Sequence, residues 1–286
     1  NGIKKEIDFD SIFPADQYKV GTMIIPRSFE CDTLSVETDC GVGQTLNLFP
    51  SVSKLMSSND SILRFKDIHR GKAAWLIGNG PSVKLNELDA LSDKITFVFN
   101  RFHLAQQRSD FRPTYTVTAD PQMISDFGQE IVIRSDSTVF VAHPDNPGFS
   151  GSYVWVPQIS LFPPVFSLDP TEYVSGGGSS VYVAMQLAYF MGIRRLFLYG
   201  MDFRFAFDMV HDSDLKRQVA IGEGNHFIKD YRSGKPWIPP SLKHIASSFL
   251  GARMLFENKR GYIRNASRGG ALNIFERVDF EEAIKL

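Results

Sequence analysis

A histidine set among glycines is the first residue in this chain with chemistry to offer. His226 lies in Gly222-Glu223-Gly224-Asn225-His226-Phe227-Ile228-Lys229-Asp230-Tyr231, and histidine takes up and releases a proton near neutrality without help. It is the general-base candidate. Two glycine-rich turns are candidates for binding an anion. In Gly78-Asn79-Gly80-Pro81-Ser82, the glycines admit positive φ and keep Cβ atoms away from a ligand. Asn79 offers an amide to a ribose or phosphate, and Pro81 suits the first turn of a helix. In Ser175-Gly176-Gly177-Gly178-Ser179-Ser180, a glycine run opens onto an apolar helix, so backbone N–H groups and two hydroxyls meet at one helix N-terminus. A flexible linker is the bland alternative, and it fits poorly because the helix begins at once. Asn100, Asp120 and Asp202 each end an apolar run, and Arg204 follows close behind.

These side chains need elements to position them, and the pattern supplies an alternating series. Ala73 to Ile77, Ile95 to Phe99, Tyr115 to Thr118, Thr138 to Ala142, Tyr153 to Val156 and Arg195 to Gly200 read as apolar strands. Helical segments are expected at Val83 to Leu91, Phe102 to Ser109, Gln122 to Ile131, Val183 to Met191 with Gly192 as C-cap, and Leu242 to Asn258. Strands alternating with helices imply right-handed crossovers and a parallel sheet, an α/β Rossmann-like fold with helices on both faces. Ligands of such sheets sit beyond the carboxyl ends of the strands, where Asn79, Asn100 and Asp120 line one crevice. Ser160 to Tyr173 reads as a long loop; its Phe-rich part, Leu161 to Phe166, is expected to pack on the sheet, with contact to a membrane-borne acceptor as the alternative. Residues 204–240 read as a lid, Gly261 to Ser267 as a last strand and Phe280 to Leu286 as a short terminal helix.

Residues 1–70 read as a separate appendage, β-rich in part, with a strand candidate at Lys19 to Ile25 and helical spacing in Leu46 to Phe65, and without assignable chemistry. Residues 71–286 are expected to form one Rossmann-like nucleotide-sugar-binding, catalytic domain. His69 is expected on the surface, and His244 on a helix face with no chemical part. The 286 residues are 43% hydrophobic and 22% charged with a net charge of −1, enough for a sizeable core and without the basic excess that nucleic acid requires. Cys31 and Cys40, nine apart with no histidine or second pair nearby, do not give the ligand pattern of a structural zinc site. They are free to pair, yet two cysteines do not make a secreted disulfide scaffold. No run approaches the roughly 20 apolar residues of a membrane span, and the first residues do not form a signal peptide. A cytoplasmic location is therefore the expectation.

Five motifs in one order carry a resemblance. Ile77-Gly78-Asn79-Gly80-Pro81-Ser82, Asn100-Arg101-Phe102, Ala119-Asp120-Pro121, Gly178-Ser179-Ser180-Val181-Tyr182 and Leu198-Tyr199-Gly200-Met201-Asp202-Phe203 resemble the bacterial CMP-sialic acid-dependent sialyltransferases of the Campylobacter type. They are equally similar to the wider superfamily of motility accessory factors and 6-hydroxymethylpterin pyrophosphokinases. Asn225-His226-Phe227, Asp230-Tyr231 and Arg264-Asn265-Ala266-Ser267-Arg268-Gly269-Gly270 look like its surface-polysaccharide branch. The resemblance covers about residues 72 to 280.

It implies a cytidine nucleotide held at Gly78, Asn79, Gly80, Ser82, Asn100, Gly178, Ser179, Ser180 and Asp202, and transfer of a nonulosonic acid without a metal cofactor. The family has Asn where this chain has Asp120. Arg204 stands where the family's first phosphate-holding tyrosine falls, and the family's catalytic histidine lies further along than His226. The expected reaction is single displacement with inversion: His226 deprotonates an acceptor hydroxyl, while Ser180 and Arg204 stabilise the departing phosphate. The expected partners are a nucleotide sugar and an oligosaccharide or glycolipid acceptor of a lipopolysaccharide or capsule, with peripheral inner-membrane contact and a homo-oligomer left open. Two alternatives stand beside this reading. One is Mg²⁺-dependent pyrophosphoryl transfer from ATP to a pterin-like alcohol, with Asp120 and Asp202 near the metal. The other is a non-catalytic nucleotide-binding module of a polysaccharide locus.

Overall fold

The computed structural model describes residues 33–36, 44–47, 61–161, 163–212, 217–222 and 224–286. Lys19 to Ile25, both cysteines and most of the Leu46 to Phe65 segment lie outside the described residues. The chain divides into two units, Asn1–Leu48 and Phe49–Leu286. In the first, β1 (Thr33–Val36) and β2 (Gln44–Asn47) pair antiparallel.

The second unit is built on one nine-stranded sheet in which every neighbouring pair is parallel. Its strands are β3 (Ala73–Ile77), β4 (Ile95–Phe99), β5 (Tyr115–Thr118), β6 (Thr138–His143), β7 (Val154–Ile159), β8 (Val174–Ser175), β9 (Arg195–Tyr199), β12 (Tyr262–Asn265) and β13 (Glu276–Arg277). The order across the sheet is β13-β12-β9-β3-β4-β5-β6-β7-β8. From β3 the chain steps outward in one direction as far as β8. It then returns to place β9 on the other side of β3, which makes the β3–β9 pair a topological switch point.

The apolar strand runs bury both faces. On β3, Ala74 and Leu76 enter one core while Trp75 and Ile77 enter the other. On β9, Leu196 and Leu198 alternate in the same way with Phe197 and Tyr199. The first face is covered by α3 (Ser180–Phe190) and α4 (Leu242–Asn258). The other face carries α1 (Leu85–Leu88) and α5 (Phe280–Ala283) towards one edge and α2 (Pro121–Arg134) towards the other. Every residue of α3 is buried, as expected of a helix that is apolar on all sides. Phe166, partly buried, packs its ring against Tyr182 and Tyr189 of α3 and Phe256 of α4, so its ring contacts are to the helices that cover the sheet. Among the described residues no helix is long and apolar enough to cross a membrane.

Several boundaries move. The helix expected from Val83 shrinks to α1 and a 3-10 turn, Asp89–Leu91, and Pro81 lies in the turn before it rather than in its first turn. The segment expected as a helix from Phe102 is a 3-10 stretch, Asn100–Gln107. It starts at Asn100 in the left-handed region, with φ 54°, and kinks at Arg101, so a regular α-helical start is not available there. The segment 204–240, expected as a lid, contains an antiparallel ribbon, β10 (Asp208–Asp212) with β11 (Arg217–Ile221).

Candidate functional site

All strands from β3 to β9 point their carboxyl ends to one side, and a cleft of about 500 Å³ opens there. Its wall comes from the turn after β3 (Gly78, Asn79, Gly80), from Asn100 after β4, from Asp120 after β5, from Gly178, Ser179 and Ser180 after β8, and from Asp202 and Arg204 after β9. The lid adds His226. The structure thus brings every site residue singled out in the sequence into one cavity except Ser82. That residue lies behind the wall, its backbone N–H donating to Asp202 Oδ2 at 2.9 Å.

The two glycine turns differ in kind. Gly78 and Gly80 do not have positive φ, and their freedom is used on the neighbouring loop. A Cβ on Gly78 would lie 2.4 Å from the Gly200 carbonyl oxygen, and one on Gly80 would lie 2.3 Å from Asp202 Oδ2. They are glycines because the loops after β3 and β9 cross in contact. The anion site expected at the following helix is also missing, since α1 has only four residues. The run after β8 keeps its expected form. Gly177 and Gly178 have φ 53° and 77°, Ser179 caps α3 by accepting from the Val181 N–H, and this buried 11-residue helix begins at the cleft.

Asn79 is fixed by its neighbours. Its side-chain nitrogen donates to the Phe99 carbonyl at 2.9 Å and to the Tyr231 hydroxyl at 3.0 Å, so the amide N–H expected to serve a ligand is engaged. Its Oδ1 is buried without a partner, as is Oδ1 of Asp202. Both atoms are acceptors, suited to hydroxyl or amino donors rather than to phosphate. Asn100 Oδ1 accepts from Ser180 Oγ at 3.4 Å, and Ser180 Oγ accepts from the Ala119 N–H at 3.1 Å. Asp120 caps α2, accepting from the Gln122 and Met123 amides at 2.8 and 3.0 Å through one carboxylate oxygen.

His226 stacks on Tyr231, with ring centroids 3.8 Å apart and an interplanar angle of 15°. Burial, reinforced by the Arg232 guanidinium, pushes its pKa down to about 4, so the ring is neutral at physiological pH and has a lone pair for a proton. Arg101 holds this segment from below. It donates to the carbonyls of Asp230 and Tyr231 at 3.2 and 2.5 Å, and its other nitrogen pairs with Glu130 at 2.9 Å.

The cleft also has residues that no motif marked. Gln158, Arg232 and Trp237 line it, each alone in its stretch, with no spacing that could have flagged it. His244, expected on a helix face without chemistry, lies on the wall beside Gly178. His69 is half-buried and hydrogen-bonded to the Tyr115 hydroxyl at 2.7 Å. Among the described residues no group of three or more His, Cys, Asp or Glu is placed to hold a metal ion. When the chain is compared with known proteins, no family model and no curated sequence matches it.

Proposed function

We propose that this chain is a glycosyltransferase that moves a nonulosonic acid from a CMP-activated donor to a hydroxyl of a surface glycan by single displacement. One observation carries the reading: a cleft of nucleotide size at the switch point of a parallel sheet is walled by the loops after β3, β4, β5, β8 and β9 and closed by the segment bearing His226. The N-terminus of α3 and the hydroxyl of Ser180 face the leaving phosphate, and exposed Arg204 is a charge-assisted donor to it.

His226 is the proton acceptor. A neutral imidazole whose conjugate acid has a pKa of about 4 is a weak base, and the nucleotide phosphate strengthens it, because a nearby anion favours imidazolium. The proton leaves the acceptor hydroxyl as its oxygen bonds to the anomeric carbon, and the bond to the CMP phosphate breaks with its electrons going to the phosphate oxygen. Phe205 and Phe207 pack around Trp237, with centroids 6.2 and 5.2 Å from its ring, an aromatic shelf on which an acceptor sugar can stack.

The test is transfer or hydrolysis of CMP-activated nonulosonic acids, measured with and without Mg²⁺. Metal-independent release of CMP that His226→Ala reduces by about 10²-fold or more, with CMP binding retained, supports the reading. Full activity in that variant removes His226 from the mechanism. Activity on ATP that requires Mg²⁺ replaces the reading with pyrophosphoryl transfer.

A further inference from the structure

Gln158 stands on β7 opposite Val174 of β8, 7% exposed and on the cleft wall. Its amide has only one satisfactory orientation. With the nitrogen turned inward it donates to the carbonyls of Ala119 at 3.2 Å and Ala142 at 2.7 Å, whereas the reverse would set the oxygen against two carbonyl oxygens. Both N–H groups are then used inside the protein, and the oxygen is turned outward. The outward atom faces residue 176, where a Cβ would lie 2.6 Å from it, so only glycine leaves that atom room. Gly176 is not in the positive-φ region, so the close approach rather than the backbone conformation requires the glycine.

We propose that Gln158 Oε1, presented through the gap at Gly176, is an acceptor-only subsite that binds a hydrogen-bond donor of the substrate and sets which nucleotide the cleft accepts. The assignment rests on the glycosyltransferase reading and deepens it. The glycine run that begins at Gly176 ends at the N-terminus of α3, so the subsite lies one loop away from the place given to the phosphate. In a cytidine nucleotide the matching donor is the exocyclic amino group; uracil has a carbonyl oxygen at that position. An oxygen held against Gln158 Oε1 leaves two acceptors face to face, and a buried unpaired polar group is the strongest basis for rejecting a near-isostere. A hydroxyl of the donor sugar is the second source of the same chemistry.

The experiment compares binding of CMP, UMP and a CMP-activated nonulosonic acid to the wild-type chain, to Gln158→Met and to Gly176→Ala. Methionine keeps the length and removes the acceptor. Gly176→Ala keeps Gln158 in the sequence but sets a methyl against the outward amide atom, which must give way; it serves as the second variant should a Gln158 variant fail to fold. If the subsite reads the base, the wild-type chain prefers CMP over UMP by on the order of tenfold or more, and both variants lose most of that preference. If it reads a sugar hydroxyl, CMP and UMP bind alike, and the variants weaken only the CMP-sugar. Wild-type binding of CMP or CMP-sugar that neither variant changes overturns the subsite and leaves the transferase reading standing. Failure of every cytidine ligand to bind the wild-type chain overturns both.

Discussion

His226 is defined less by its neighbours in the chain than by the surroundings the fold gives it. Sequence offered a histidine between glycines with an ordinary pKa; burial beside Tyr231 and the Arg232 cation lowers that value from 6.5 to about 4. The sign of the consequence follows from proton binding. Between about pH 6.5 and 4 the unfolded chain holds a proton at this position and the folded protein does not, so stability rises with pH across the window and is lost as pH falls. The wild-type chain should lose about 2 kcal/mol at this site between pH 7 and 4.5, a loss absent from His226→Ala. Denaturant midpoints of the two proteins at both pH values measure it; equal losses would mean that His226 is freely hydrated in the folded state. His69 and His103, also lowered by burial, are present in both proteins and drop out of the difference. Asn79 gives the same lesson for a neutral group. Its residue type announced a polar contact, and only its bonds to Phe99 and Tyr231 decide that the atom left unpartnered is the oxygen.

The elements around the site are set by how closely their ends approach. The turns after β3 and β9 cross with the carbonyl of Gly200 against Gly78 and the carboxylate of Asp202 against Gly80, which is why a glycine pair resembling a phosphate loop is chiefly a packing device. Gly78→Ala should destabilise the protein by about 1–3 kcal/mol, because the added Cβ meets backbone that cannot turn away. Gly251→Ala is the control. It lies within α4 with nothing within 4 Å of an added Cβ, and it should stabilise by about 0.5–1 kcal/mol through helix propensity. Thermal melts of the two variants read this difference, and a neutral Gly78→Ala would show that the crossing loops can part. The β4 to β5 connection begins as a 3-10 stretch. Asn100 leaves β4 in the left-handed conformation, and Arg101 turns inward to Glu130 and the lid segment, a demand that no helical period records.

At the scale of the molecule, β9 inserted next to β3 joins chain segments more than a hundred residues apart into one cavity. The prediction at this scale is a ligand effect. CMP at about 100 times its Kd should stabilise the native state by about 2.7 kcal/mol, with no requirement for Mg²⁺, because a ligand that binds only the folded form shifts the equilibrium by mass action. A thermal-shift series with CMP, CDP, UDP, GDP and ATP, each with and without Mg²⁺, reads this directly. Stabilisation by ATP alone, and only with Mg²⁺, would contradict it and make Asp120 and Asp202 the residues to mutate.

The sequence by itself determined the class of fold. Unbroken apolar runs such as Trp75 to Ile77 and Leu196 to Tyr199, each ending in Gly, Asn or Asp, can be satisfied only by strands buried on both faces, and the helical segments between them require parallel crossovers. It also pointed to the side of the sheet on which the cleft opens, because the polar residues stand at the carboxyl ends of the strands. The tertiary structure alone decided the rest. Strand order is a long-range choice that leaves no local pattern, and with it came the meeting of Gly78 with Gly200. Gln158, Arg232 and Trp237 gained their places on the cleft in the same way. Each is one residue in an unremarkable stretch, and its chemistry exists only where distant backbone fixes an amide, shields a cation or stacks a ring.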